Sequence, residues 1–252
     1  MKVTFVGSGN VATHMALALK AAGALIDQIW SRNIGHAAAL ADLVGARPVS
    51  GLSEIDTNAD LVVIAVKDDA IAEVCNALKG IGALVVHTSG ATDLHVLSSF
   101  ANYGVLYPLQ TFSKSRPIDF NKVPLFIEAN NPPVLDELKI IASRLSPLIY
   151  QATSDQRKIL HLSAVFACNF VNHLYELGNR VLQDNGLDFE MLRPLILETA
   201  EKVQHDLPLN VQTGPAVRND QQTILKHLKL LDGEPGLQEI YQALSKSIKK
   251  TS

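Results

Sequence analysis

Apolar and polar positions in the first half of the chain follow two alternating rhythms. Short β-branched runs at residues 3–7, 26–30, 61–66 and 84–87 predict strands, with further strands at 105–107, 125–127 and 148–150. Segments with helical spacing separate them, at 10–22, 36–44, 71–78, 94–100 and 133–145. Residues 61–66 are apolar at every position, as in a strand buried on both faces. This alternation, sustained to about Thr153, predicts an α/β architecture: a doubly wound, mainly parallel sheet with helices on both faces.

Beyond Ser154 the strand rhythm stops. Residues 155–183 read as one helix with apolar side chains on most faces, so it is expected to be buried. Ser154 is the expected N-cap and Gly186 the stop signal. Helices at 189–205, 221–231 and 237–249 complete an all-helical segment, with Pro194 marking a kink or a late start. Loops are expected at Gly214-Pro215 and at 233–236. The expected organisation is therefore a nucleotide-binding domain over 1–153 and a helical substrate or dimerisation domain over 154–252.

Composition narrows the class. The chain has 252 residues, 47% hydrophobic and 19% charged, as expected of a soluble globular protein. A net charge of −3 argues against a nucleic-acid surface, and no apolar run is long enough to span a membrane. A strand starting at Lys2 leaves no room for a signal peptide, so a cytoplasmic protein is expected. Cys75 and Cys168 lack metal-ligand spacing and are expected to be small buried residues; no metal site is expected.

The first strand runs directly into Gly7, Ser8, Gly9, Asn10, Val11 and Ala12. Gly7 permits the sharp turn, Gly9 lets backbone N–H groups approach phosphates, and Ala12 permits close helix–strand packing. The following helix points its partly positive N-terminus at a bound anion. An ordinary tight turn is the alternative. The flanking strand and helix favour a dinucleotide site.

At the end of the second strand an acidic residue would select NAD through the ribose 2′-hydroxyl. Ser31, Arg32 and Asn33 stand there instead. Arg32 can form charge-assisted bonds to a 2′-phosphate, with Ser31 and Asn33 adding neutral ones, so NADP is the expected cofactor. Three more strand ends are polar: Val66-Lys67-Asp68-Asp69, His87-Thr88-Ser89-Gly90, and Tyr107 through Phe112. Val66, Lys67 and Thr88 are expected to line the cofactor, and the three ends together suggest a substrate cleft as well as ordinary loop chemistry.

In the helical half, Asn169 and Asn172 interrupt an apolar stretch flanked by His161 and His173. Ideal helix geometry places His161, Cys168 and Asn172 on one face and Asn169 about 80° from His161. These residues either bond the backbone and each other or face a nicotinamide and substrate. In the loop 213–220, Arg218 is placed to hold a substrate carboxylate or phosphate, and Asp220 to cap the next helix.

Val6 through His14, His87-Thr88-Ser89-Gly90, Pro108 through Phe112, Asn169-Phe170 and Gly214 through Asp220 together carry a family resemblance. The chain resembles, over nearly its whole length, the NADP oxidoreductases that join a Rossmann domain to a helical C-terminal domain of unassigned function. Wider relatives are pyrroline-5-carboxylate reductases, deazaflavin-dependent NADP reductases and β-hydroxyacid dehydrogenases. The resemblance implies a Rossmann-type sheet, a 6-phosphogluconate-dehydrogenase-like helical domain and a homodimer formed through it. Where that family usually has His before Pro-Leu, this chain has Tyr107, a phenol of much higher intrinsic pKa.

The expected activity is hydride transfer between NADP(H) and a C=O or C=N bond of a small, anionic substrate. His161 or Tyr107 would be the proton donor, Asn169 and Ser89 would polarise the acceptor, and Arg218 would orient it. A non-catalytic NADP-binding sensor or interaction protein is the alternative.

Overall fold

The computed structural model describes every residue except Lys79 and Ser252. Two compact units divide the chain, Met1–Asn169 and Phe170–Ser252.

The first unit is built on an eight-stranded sheet in the order β3-β2-β1-β4-β5-β6-β7-β8. Its strands are β1 Lys2–Val6, β2 Leu25–Trp30, β3 Arg47–Val49, β4 Leu61–Ile64, β5 Leu84–His87, β6 Tyr103–Pro108, β7 Leu125–Ala129 and β8 Ile149–Gln151. All neighbours pair in parallel except β6 and β7. Parallel pairing requires crossovers, which the helices α1 Asn10–Ala21, α2 Ile34–Val44, α3 Ile71–Ala77 and α4 Pro132–Ser143 supply or flank.

Period-two alternation sorts the strand side chains onto two cores. Val3, Phe5, Leu61, Val63, Leu84, Val86 and Leu106 pack with α1, α2 and α4. Val6, Val62, Ile64, Val85, Val105 and Tyr107 face α3 and the 3-10 turn Leu94–Leu97. Both sheet faces are thus dry, which explains the unbroken apolar runs of β4 and β5. Full burial of each such Val, Leu or Ile contributes about 1.5–3 kcal/mol.

Three details depart from the sequence expectation. The helix expected at 94–100 is only a 3-10 turn, started by the Asp93 carboxylate accepting from the His95 amide. The apolar run at 61–66 leaves the sheet after Ile64, because Ala65 and Val66 turn into the crevice opposite Gly7. Strand β3 went unread because it is three residues long and contains Pro48, which is tolerated on a sheet edge.

The helix expected at 155–183 is present with an interruption: α5 Ser154–Ala164, a π turn Val165–Phe170, and α6 Val171–Gln183. Its N-cap is Thr153 and not Ser154; Thr153 and Gln156 form a reciprocal capping box. Burial of this helix is also not as expected. Within α5 only Ser154 and Arg157 are buried, while Ile159, Leu162 and Phe166 are exposed on the single chain.

The second unit carries α6, α7 Arg193–His205, α8 Gln221–Leu230 and α9 Pro235–Thr251. Pro194 lies in the first turn of α7, so it marks a late start and not a kink. Asp220 caps α8, accepting from the Thr223 amide and hydroxyl. His227 Nδ1 lies 2.8 Å from the Tyr241 hydroxyl, joining α8 to α9. An apolar cavity of about 440 Å³ lies among Leu174, Leu177, Leu231, Leu237, Ile240 and Leu244. Among the described residues, no helix is long and apolar enough to cross a membrane.

Candidate active site

The strand order reverses between β1 and β4, and ligands of open α/β sheets bind at such a switch point. Gly7 turns the chain there with φ +125°, and a Cβ on it would lie 2.1 Å from the Ala65 carbonyl oxygen. No other residue type fits. Gly9 is the N-cap of α1 and brings no side chain, so the first-turn N–H groups of Asn10, Val11 and Ala12 carry no side-chain cap. The space beside its Cα is open for 4 Å. An uncapped helix N-terminus facing open space fits a dinucleotide pyrophosphate.

The turn is tied to the end of β2. The Gly7 amide donates to the Trp30 carbonyl at 2.7 Å, and the Ser8 hydroxyl donates to the Ser31 hydroxyl at 2.9 Å. Arg32 is exposed and makes no ion pair among the described residues. Asn33 already has a structural task, because its side-chain oxygen caps α2 by accepting from the Gly35 amide. Its side-chain NH₂ remains available as a donor. Lys67 is exposed beyond β4, and Val66 is half-buried.

A cavity of about 390 Å³ lies within the first unit, lined by three elements. Asn10 and Val11 come from the start of α1, Tyr107 and residues 109–112 from the end of β6, and His161, Ala164, Cys168 and Asn169 from α5 and the π turn. The size suits a small ligand. The loop after β6 is fastened to α1 at two points. Asn10 Nδ2 donates to the Phe112 carbonyl at 2.8 Å, and His14 Nε2 lies 2.9 Å from the Ser113 carbonyl.

Tyr107 and His161 meet in this cavity. The phenol oxygen stands 3.1 Å from His161 Nδ1, with the two rings edge to face at 6.2 Å. The Tyr107 ring is held by an aromatic row across three strands, Tyr107 beside Phe126 and Phe126 stacked on Tyr150. Gly90 fits beneath both rings; a Cβ there would lie 2.8 Å from His161 Cγ, His161 Nδ1 and Tyr107 Cζ. Burial pushes the Tyr107 phenol up to about 12, with the Arg157 charge working against that shift and Asp68 adding to it. The phenol is therefore protonated across the physiological range.

Other expected residues fall elsewhere. Ser89 is buried and absent from the cavity lining, and its oxygen accepts from the Ala91 and Thr92 amides, closing a turn. Thr88 is buried beside it. Cys168 is exposed on the cavity wall, contrary to the expectation that both cysteines are buried, and Cys75 is buried with its thiol pushed up to about 11. Asn172 and His173 are exposed and belong to the second unit, as does the exposed Arg218.

Asn169 reaches the cavity because of the π turn. Its i→i+5 bonding lowers the rotation per residue, swinging Asn169 back toward the line of His161. Its amide is exposed and has no protein partner among the described hydrogen bonds.

Two important residues escaped the sequence reading. Arg157 is 1% exposed and forms an ion pair with Glu128 at 2.5 Å. It also donates to the Ser89 and Thr92 carbonyls. The available signal was its spacing: Arg157, His161, Ala164 and Cys168 recur on one helical face.

The fold and site together define a dinucleotide-binding α/β protein with a helical C-terminal unit. Residues 2–89 match the family described as "NADP oxidoreductase coenzyme F420-dependent". Residues 123–248 match a "Domain of unknown function (DUF2520)". A Bacteroides fragilis structure described as a "putative NADP oxidoreductase" is 43% identical, covering 99% of this chain and 98% of that one with a TM-score of 0.95. The chain therefore belongs to this family of NADP-dependent oxidoreductases. Two more distant structures share the fold. One is an imine reductase from Myxococcus stipitatus in complex with NADP+, at 14% identity over 99% of this chain and 93% of that one, TM-score 0.70. The other is a pyrroline-5-carboxylate reductase from Coxiella burnetii, at 20% identity over 99% and 98%, TM-score 0.57. No curated protein matches the sequence.

His87, at the end of β5, supplies a pH test of the fold. It is fully buried, its Nδ1 accepts from the Ser89 amide at 3.2 Å, and its Nε2 has no hydrogen-bond partner among the described residues. Burial first, and the Arg157 charge second, push the imidazole down to about 3. The folded state thus holds it neutral, while in the unfolded chain it takes up a proton near 6.5, the ordinary value for histidine. This contribution to stability is complete above that value and is lost progressively as pH falls toward about 3. Between pH 7 and pH 5 the wild type should lose about 2 kcal/mol that His87→Asn does not, as read from urea unfolding at the two pH values. Equal losses in both proteins would contradict the assignment.

Proposed function

We propose that the protein reduces a C=O or C=N bond of a small molecule with NADPH, using the Tyr107–His161 pair to deliver the proton. The observation that carries this reading is the 3.1 Å contact between the phenol and His161 Nδ1 on the wall of the cavity that also contains the start of α1. NADPH, when bound, supplies the hydride. Gly7, Gly9 and the first-turn amides of α1 would hold the pyrophosphate, Arg32 and Ser31 the 2′-phosphate, and Val66 and Lys67 the middle of the cofactor.

The chain's own groups then account for the proton. In the tautomer with hydrogen on His161 Nδ1, the imidazole donates to the phenol oxygen, leaving the Tyr107 O–H to face the acceptor atom. As that atom gains negative charge from hydride addition, Tyr107 releases its proton to it. The His161 Nδ1–H bond stabilises the forming phenolate, which regains its proton from solvent after the transfer. Asn169 offers a free amide from the π turn to orient or polarise the acceptor. Ser89 supports the floor of the pair through its turn.

Fluorescence titration should show NADPH binding well ahead of NADH, and Arg32→Ala should weaken NADPH by roughly 10- to 100-fold while leaving NADH unchanged. Equal binding of the two cofactors by the wild type would remove the 2′-phosphate assignment.

Single-turnover NADPH oxidation against a panel of ketones, keto acids and cyclic imines tests the chemistry. Tyr107→Phe and His161→Ala should each slow the step by about 10²- to 10⁴-fold with cofactor affinity retained. Wild-type rates in both variants would eliminate the pair as proton donor.

The second unit leaves Leu195, Leu207, Leu225 and Leu230 more than 60% exposed, and this supports a homodimer packed through its helical faces. Sedimentation velocity should give the mass of a dimer at micromolar concentration; a monomer would overturn this assembly.

A further inference from the structure

Arg157 lies outside the cavity lining, yet its guanidinium joins the elements that carry the reacting pair. Nε donates to the Ser89 carbonyl at 3.1 Å, and one terminal nitrogen to the Thr92 carbonyl at 2.5 Å. The other terminal nitrogen bonds Glu128 of β7 at 2.5 Å. Glu128 in turn accepts from the Ser154 amide and hydroxyl at the first turn of α5, both at 2.8 Å. Ser89 and Thr92 flank Gly90, whose backbone lies against both the His161 and Tyr107 rings. Arg157 also sits one helical turn before His161 on the same face of α5.

We infer that Arg157 is a positioning residue for the Tyr107–His161 pair. It acts through Gly90 beneath the rings and through α5, the helix that carries His161. The inference rests on that pair being the proton-transfer group of the proposed reaction. The guanidinium fork sets both surfaces at once, which a single ammonium cannot do. A purely structural Arg157 would affect stability and leave the contact between the rings unchanged.

Imidazole ¹⁵N NMR of the full chain separates these roles without any substrate. The His161 Nδ1 resonance is assigned, and its bond to the phenol calibrated, by the shift seen in Tyr107→Phe. R157K keeps the charge and loses the fork. The double variant Arg157→Met with Glu128→Gln leaves no unpaired buried charge, so it guards against simple unfolding of the first variant. In each folded variant the Nδ1 resonance should move at least halfway to its Tyr107→Phe position, and NADPH affinity should stay within about twofold, since no cofactor-binding group is altered. A wild-type Nδ1 resonance in either folded variant would overturn the inference. So would failure of both variants to fold, which would mark Arg157 as a stability residue. Lack of NADPH binding by the wild type would count against the proposed reaction, while the NMR comparison would still decide the role of Arg157.

Discussion

The first unit is tied together by an ion pair between the buried Arg157 of α5 and the half-buried Glu128 of β7. Taking two charges out of water costs several kcal/mol per ion, and attraction alone does not reliably offset this. Here the remaining hydrogen-bonding capacity is also met. Arg157 reaches two loop carbonyls, and Glu128 takes the Ser154 amide and hydroxyl. The pair therefore links a helix, a strand and the loop after β5. Consistent with that role, α5 belongs to the first unit although its outward face is apolar and exposed.

Tyr107 and His161, the proposed proton-donor pair, meet through the sheet on one side and α5 on the other. Tyr107 packs on the sheet side against Phe126 in a tilted contact, and Phe126 in turn stacks on Tyr150. His161 arrives from the helix side, and Gly90 allows the two rings to meet because it has no Cβ to separate them. The π turn then adds Asn169 to the same wall, a use of helix irregularity often associated with functional sites.

Two titratable groups near Arg157 are held in their neutral forms by burial. Burial holds His87 uncharged and Tyr107 protonated, and the Arg157 cation nearby is already paired. The proposed phosphate contacts lie at the uncapped start of α1 and at Arg32, which is exposed and has no ion pair among the described residues.

Much of this protein was legible in its sequence, because the signals involved are local. Period-two apolar runs define strands, Gly7 and Gly9 define a turn that tolerates no Cβ or needs none, and the absence of a carboxylate after β2 depends on residue identity alone. These features needed no knowledge of distant contacts. His161, Asn169 and Tyr107 were also recognisable as candidates by their chemistry. That they line one cavity depended on the register of β6 beside β7, on the widened turn at Val165–Phe170, and on Arg157 reaching across the fold to Glu128. Arg157 went unread for the same reason, since an arginine in a helix looks like any solvated charge until a partner 29 residues away buries it. Pairing across such separations is set by packing and desolvation in three dimensions, and periodicity along the chain does not encode it.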